Sequence, residues 1–270
     1  MYKSMKRKKS MKHKKRRLSK RKYRGGNKKN IALIFYGRIT SYEHSLEYLD
    51  SIFKHPNFNC KVFLSLNASK TSPYVEDFRK RFQITEEQFN VEKTLVPQSY
   101  IDLRNKGKPC PHTEGLVNNP TPPKETMNHS DGCYAAYSLL YHQNRAFNLV
   151  KKYSDKHAIH FDIVVVFRAD LKSPSNQPFP INSIEENTLY VPEGTMCVKD
   201  HYSDGITTLA AYGDYKTMEK YCNVVNNLVI GSDIERMLLS SLKSMNIRII
   251  RFPHEIVLNP ERRDPKYNTM

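Results

Sequence analysis

The stretch from Phe161 to Leu171 constrains the fold of this chain most strongly, because it contains an apolar run that ends at the motif Arg-x-Asp. Five consecutive large apolar residues, Ile163 to Phe167, indicate a strand buried on both faces, as in the centre of a parallel sheet. Arg168 and Asp170 follow one residue apart, so a continued strand would point both side chains to the same side. Since parallel sheets bind ligands at the carboxyl ends of their strands, we expect a place here for a phosphate and a metal ion.

A second apolar run, Asn30 to Tyr36, ends at Gly37 and is typical of the first strand of a nucleotide-binding half-sheet. A helical spacing of apolar residues over 43–53 and a third apolar run over 61–66, which ends at Asn67, complete a strand–helix–strand unit. This order predicts an α/β fold with a Rossmann-like, mostly parallel sheet flanked by helices. Further helices are predicted at 74–82, 132–153, 214–228 and 232–245, and further strands at 91–96, 188–192, 207–212 and 247–252, the strand at 188–192 being an edge strand.

The positive charge of the chain is concentrated at its amino terminus. Residues 1–30 hold 16 of the 44 Lys and Arg residues and none of the 27 Asp and Glu residues, which leaves a nearly neutral body with 28 basic residues. We expect a disordered basic tail at 1–30 and a single domain at 31–270. Two alternatives stay open for the tail, a solubilising arm that binds polyanions and a nuclear-import signal or membrane tether.

No segment of the sequence reaches the roughly 20 apolar residues that a transmembrane helix needs, and the basic head lacks the apolar stretch of a secretory signal. We therefore expect an intracellular protein without a transmembrane segment. The five cysteines are scattered and form no Cys-x-x-Cys pair, which argues against a disulfide framework and a zinc site.

The order of these segments resembles that of small GT-A-like glycosyltransferases, the nucleotide-sugar-dependent kind found in large DNA viruses, algae and bacteria. The resemblance covers nearly everything after residue 30 and rests on the order of motifs that are individually loose. These are Phe-Tyr-Gly-Arg at 35–38, the run at 161–171 after a long helix, Leu-Tyr-Val-Pro at 189–192, Ser-Asp-Gly at 203–205, the segment 211–221 and the closing segment 235–252. It implies an enzyme that transfers a sugar from a nucleoside-diphosphate donor to a hydroxyl of a glycan or protein acceptor.

The resemblance also implies where the donor binds. In that family the nucleotide lies against the first half-sheet, and an Asp-x-Asp-like motif holds Mg²⁺ or Mn²⁺ on the diphosphate. Here Asp170 would be the metal ligand, with His254 as a second one, while an arginine, Arg168, replaces the first acid of the motif. That arginine can itself neutralise a phosphate. The residues implied to bind the nucleotide sugar are Tyr36, Gly37, Arg38, Asn67 and Arg168.

Asp204 occupies the position at which the family carries an acidic residue on the acceptor side, where it would act as general base. Each of these residues also has a purely structural interpretation. Asp170 and Arg168 could pair with each other, Gly37 and Asn67 could simply form turns, Asp204 could belong to an Asp-Gly turn, and His254 could be an exposed side chain.

Two other functions remain alternatives at this point. The first is a protein that binds nucleic acid or another polyanion through its basic tail, although the neutral body speaks against it. The second is a relative that keeps the glycosyltransferase scaffold without activity.

Overall fold

The computed structural model describes residues 28–37, 39, 49, 51–67, 73–92, 132–172, 179–181, 184–193, 205–226, 234–253 and 256–258. The strands are β1 (Lys29–Gly37), β2 (Phe58–Leu66), β3 (Phe89–Val91), β4 (Ile163–Arg168), β5 (Leu171–Lys172), β6 (Thr188–Pro192), β7 (Ala210–Gly213), β8 (Arg248–Phe252) and β9 (Val257–Leu258). The helices are α1 (Pro73–Phe82), α2 (Gly132–His157), α3 (Tyr215–Cys222) and α4 (Ile234–Ser244). Leu49 and residues 51–53 are also helical, in agreement with the helix predicted there.

Seven of the described strands form one sheet in the order β3-β2-β1-β4-β7-β6-β8. β1 pairs in parallel with β2 on one side and with β4 on the other, and β7 is the one strand of this described sheet that runs antiparallel to its neighbours. Counted along the main sheet alone, the order is 3-2-1-4-6-5-7 with strand six reversed. The protein therefore has the predicted α/β, GT-A-like, mostly parallel architecture.

The two central strands, β1 and β4, are buried on both faces because Ile31 to Tyr36 and Ile163 to Phe167 are apolar at every position. On β1, Ile31 and Phe35 face a core that includes α1, where the ring of Phe35 lies 5.0 Å from that of Phe78. The alternate residue Ile34 faces a second core that includes α2 and α4. Helices on both faces thus exclude water from the centre of the sheet, and the strand ends remain as the places where polar groups can meet a ligand.

A short second sheet fixes the chain just after β4. Leu171 in β5 is fully buried and pairs antiparallel with Leu258 in β9. The chain leaving β4 is therefore anchored within three residues, which limits the positions that the intervening Asp170 can adopt.

The prediction that 188–192 is an edge strand is wrong. β6 lies between β7 and β8, and all five of its residues are buried. Pro192 is tolerated because it is the last residue of the strand, and the sheet contact continues through the backbone N–H of Glu193, which donates to the carbonyl of Phe252 at 2.7 Å.

The strand predicted at 91–96 is displaced, because β3 ends at Val91. A short 3₁₀ turn, Glu86–Gln88, is capped by Thr85, and the buried Gln88 side chain donates to the carbonyl of Val62 at 3.0 Å. This contact fixes the chain against β2 early, so pairing starts at Phe89; residues 93–96 lie outside the described part.

Three smaller boundaries also differ from the sequence prediction. The strand predicted at 207–212 is β7, which starts only at Ala210, because the hydroxyl of Thr207 accepts from the N–H of Leu209 and forms a local turn. The helix predicted at 214–228 ends at Cys222 and continues as a 3₁₀ turn, Val224–Asn226. β1 starts at Lys29, inside the range expected for the tail.

Candidate functional site

The carboxyl ends of β1, β2 and β4 meet at one edge of the sheet, which we call the rim, and they bring together three of the residues predicted from sequence. The N–H of Asn67 donates to the carbonyl of Gly37 at 2.9 Å, so the ends of β2 and β1 are in contact. On the other side, the N–H of Ala169 donates to the carbonyl of Tyr36 at 2.9 Å, so Arg168 lies beside the end of β1. Gly37, Asn67 and Arg168 therefore share the rim, as the parallel pairing predicts.

Gly37 ends β1 in a conformation that favours glycine, with φ +98°. A Cβ atom at this position would lie 3.5 Å from Cδ2 of Leu139, which is an ordinary contact. The backbone conformation, and not a lack of space, is therefore what requires glycine here. Arg38 follows directly but lies outside the described residues.

Arg168 and Asp170 form a two-bond ion pair. The guanidinium donates from Nε to Oδ1 at 3.0 Å and from Nη2 to Oδ2 at 2.7 Å. The side chains are 12% and 5% exposed, so the pair is largely withdrawn from water. A turn at 169–170, not a continued strand, brings the two groups together. The sequence prediction that they face the same side is correct in effect, although the backbone route is different.

The backbone of Arg168 is held from both sides of its strand. Its N–H donates to the carbonyl of Leu209, at the start of β7, at 2.9 Å, while the next residue bonds to β1. The guanidinium therefore starts from a rigid base, which favours a fixed orientation of its charge.

Tyr36 belongs to the core beneath the rim. Its ring is fully buried and its hydroxyl donates to the backbone carbonyl of Thr208. Burial, and then the neighbouring Tyr221, raise the pKa of Tyr36 well above its usual value, so the hydroxyl keeps its proton and its role as donor. Through Thr208 this contact supports the segment that binds the backbone of Arg168. The prediction that Tyr36 contacts a nucleotide sugar stays a prediction, because the contacts described for Tyr36 are those of a buried core residue.

A second polar group at the rim was missed from the sequence. Glu92, just after β3, accepts from the hydroxyl of Tyr141 at 2.9 Å and from Nε of Arg145 at 2.8 Å, both on α2. Burial raises the pKa of Glu92, but hydrogen bonds from Arg145, Asn90 and Tyr141 together lower it below its usual value. The sequence did not indicate Glu92 as a rim residue, because the strand predicted at 91–96 would contain it in its interior. In the structure β3 ends at Val91, so Glu92 follows its carboxyl end.

Polar contacts tie α2 to the ends of β2. The Nδ1 atom of His142 lies 3.0 Å from the hydroxyl of Ser65, and both residues are fully buried. Burial lowers the pKa of His142 to about 4, so this imidazole is neutral near pH 7. Asn67 is half-buried and its Nδ2 donates to the hydroxyl of Ser138 at 3.3 Å. Its amide is thus held at the rim by α2.

On the far side of β4, Gly205 packs directly on the first turn of α4. A Cβ atom at Gly205 would lie only 2.8 Å from Cβ of Glu235, and Nη2 of Arg251 donates to the carbonyl of Gly205 at 2.5 Å. The N–H of Ile206 donates to the carbonyl of Glu235 at 3.2 Å. Asp204 precedes this fixed point, but both Asp204 and His254 lie outside the described residues, so their predicted roles stay predictions.

The described side chains at Asp170 do not fit a divalent cation as they stand. Both carboxylate oxygens accept from Arg168, and a metal ion at these oxygens would lie beside a guanidinium. Among the described residues, no three His, Cys, Asp or Glu side chains are close enough to hold a metal ion. The expected Mg²⁺ or Mn²⁺ site of Asp170 and His254 stays a prediction, because His254 is not among them.

Within the described ranges, no helix has the length and apolar character that crossing a membrane requires.

No protein-family model and no curated protein matches this chain. Among solved structures, the chain is similar to a glycosyltransferase involved in the glycosylation of the major capsid of PBCV-1, with a TM-score of 0.37 and 10% identity over 89% of this chain and 100% of that one. It is also similar to the nucleoside-diphosphate-sugar pyrophosphorylase from Vibrio cholerae RC9, with a TM-score of 0.38 and 12% identity over 88% of this chain and 100% of that one.

Proposed function

We propose that this protein is a glycosyltransferase that moves a sugar from a nucleoside-diphosphate donor to a hydroxyl of a glycan or protein acceptor. The observation that carries the proposal is the rim, where a GT-A-like sheet brings Gly37, Asn67 and Arg168 together on three adjacent parallel strands. Open α/β sheets bind their ligands at this edge.

The proposed reaction makes a clear electrostatic demand on the site. The bond between the anomeric carbon and the diphosphate oxygen breaks, a bond from the acceptor oxygen to that carbon forms, and the nucleoside diphosphate leaves with an additional negative charge. A fixed cation close to the leaving oxygen lowers the energy of this transition state. Arg168, with its backbone bonded to β7 and its side chain oriented by Asp170, is the described residue that meets this demand.

The acceptor hydroxyl must lose its proton during the transfer. Asp204 is the proposed general base, because it immediately precedes Gly205, which is anchored to α4 on the far side of β4 from Gly37 and Asn67. In this arrangement the proposed donor residues lie on the first half-sheet and at the end of β4, while the proposed base enters from the segment before β7.

The proposal is tested by incubating the full chain with a panel of UDP-, GDP- and ADP-activated sugars and measuring the release of free nucleotide by chromatography. We expect slow hydrolysis of at least one donor, and a loss of that hydrolysis in Arg168→Gln. A correctly folded protein that neither hydrolyses any donor nor binds any of the three nucleotides in calorimetry would contradict the proposal.

The same assay separates this function from polyanion binding by the basic segment. Deletion of residues 1–27 leaves β1 intact, because the strand begins at Lys29. We expect the deleted protein to lose affinity for heparin and single-stranded DNA while its donor hydrolysis is unchanged. If donor hydrolysis disappears with the segment, the active site is not confined to the body.

A further inference from the structure

The ion pair at the rim suggests how the charge of the donor is neutralised, an inference that rests on the proposed function. We propose that Arg168, oriented by Asp170, is itself the cation that binds the diphosphate, so that nucleotide binding at this rim needs no divalent metal ion. Asp170 is then a positioning residue and not a metal ligand.

Both oxygens of the Asp170 carboxylate already accept hydrogen bonds. Each of its oxygens accepts a hydrogen bond from Arg168, at 3.0 and 2.7 Å, and its side chain is 5% exposed. A metal ion at these oxygens would either displace the guanidinium from a buried two-bond pair or bind the remaining lone pairs directly beside it. Either arrangement is unfavourable, because breaking a buried pair strands a charge and two cations repel each other at short range.

The ion pair leaves several N–H groups of Arg168 able to donate further hydrogen bonds. A guanidinium has five N–H groups in a flat fork, and the pair with Asp170 uses one on Nε and one on Nη2. Three N–H groups therefore remain, two of them on Nη1, and no described residue accepts from Nη1. This remaining edge has the geometry that binds two phosphate oxygens side by side.

The position of the Arg168 guanidinium is fixed before any ligand binds. The Arg168 N–H is bonded to Leu209, the N–H of Ala169 is bonded to Tyr36, and Leu171 anchors the chain in β5. The Arg168 side chain is 12% exposed, so a part of it is accessible to solvent. A cation held in this way loses little conformational entropy when a phosphate binds.

The test is isothermal titration of the full chain with pyrophosphate, UDP and GDP, each in EDTA and again in Mn²⁺. We expect the same affinity within about twofold in the two conditions. Arg168→Gln should weaken binding by about 10- to 100-fold, the value of a lost pair of charge-assisted hydrogen bonds. Arg168→Lys should also weaken binding, because an ammonium keeps the charge but loses the fork.

Asp170→Asn separates the two roles of the carboxylate. The amide keeps the shape and one acceptor, so we expect a smaller loss than in Arg168→Gln and, again, no response to Mn²⁺. Arg248→Gln is the matched control, because Arg248 forms an exposed ion pair with Glu185 and should leave affinity unchanged. If Arg168→Gln fails to fold because Asp170 loses its guanidinium partner, the double variant Arg168→Gln/Asp170→Asn removes the stranded charge.

The outcomes distinguish this inference from the proposed function. Nucleotide binding that needs Mn²⁺ and is abolished by Asp170→Asn but not by Arg168→Gln would overturn the inference and retain the glycosyltransferase. Metal-independent binding of pyrophosphate that depends on Arg168, without binding of any nucleotide, would retain the inference and overturn the proposed function. No binding in any condition would overturn both.

Discussion

Two fully buried tyrosines make a matched test of the buried support beneath the rim. Tyr36 donates its hydroxyl to the carbonyl of Thr208, whereas the hydroxyl of Tyr221 makes no hydrogen bond of regular geometry to a described residue, although the Gln143 side chain lies beside it. Replacing either residue by phenylalanine removes one oxygen atom from the core and leaves the ring in place. The main difference between the two variants is therefore whether a buried hydrogen bond of regular geometry is lost.

The expected magnitudes follow from the burial of the groups that remain. Thr208 is 4% exposed, so its carbonyl is not expected to replace the lost donor with water, and an unsatisfied buried acceptor costs about 1–3 kcal/mol. We expect Tyr36→Phe to lower the free energy of unfolding by that amount. Tyr221→Phe removes a buried hydroxyl that makes no regular hydrogen bond to a described residue, so we expect a change within about 0.5 kcal/mol or a slight stabilisation.

Urea unfolding followed by far-ultraviolet circular dichroism and by tyrosine fluorescence measures both values, provided that the two signals change together. Equal destabilisation of the two variants would refute this account, because the main difference between them is the hydrogen bond. Tyr36→Phe should also weaken nucleotide binding, since Thr208 and Leu209 support the backbone of Arg168, while Tyr221→Phe should not.

Two further results are expected. Gly205→Ala should lower the free energy of unfolding by about 1–3 kcal/mol because its Cβ atom would lie 2.8 Å from that of Glu235, and a smaller loss in thermal or urea unfolding would mean that α4 moves away easily. Burial lowers the pKa of His142 to about 4, below the value of about 6.5 for an unfolded histidine, so the unfolded chain binds the additional proton and stability should fall as the pH drops from about 6.5 towards 4, by up to about 3 kcal/mol. His142→Gln should flatten this part of the stability profile, and an unchanged profile would show that the imidazole accepts a proton within the fold.

The central strands could be predicted from sequence because a continuous run of apolar residues indicates a strand that is buried on both faces. Every position from Ile31 to Tyr36 and from Ile163 to Phe167 is apolar, and in the structure these runs lie side by side in the centre of the sheet. Their order with the helices predicted the parallel pairing, and the pairing predicted that Gly37, Asn67 and Arg168 meet at the rim.

Other features depend on contacts that no local pattern encodes. Pro192 predicts an edge position for β6, yet β8 pairs with it from a segment 60 residues later in the chain. β3 was displaced because the Gln88 side chain, which binds the carbonyl of Val62, carries no signal in the sequence. That error also concealed Glu92 and its contacts with α2.

The contact between Arg168 and Asp170 could not be decided from the sequence, for a different reason. The sequence allowed either a pair or two separate ligand contacts, because both need the same two residues at the same spacing. The distances select the pair, which uses Nε and Nη2 of the guanidinium. The assignments of Arg38, Asp204 and His254 stay predictions from sequence.

The reversal of β7 places residues from two distant parts of the chain at one edge of the sheet. Because β7 runs against β4, the segment that enters it through Gly205 and Ile206 arrives where β4 ends, and the N–H of Arg168 bonds to it there. The amino-terminal half-sheet and the residues that lead into β7 consequently come from separate segments of the chain. Under the proposed function, we therefore expect substitutions before Gly205 to change the use of the acceptor and to leave the binding of the donor unchanged.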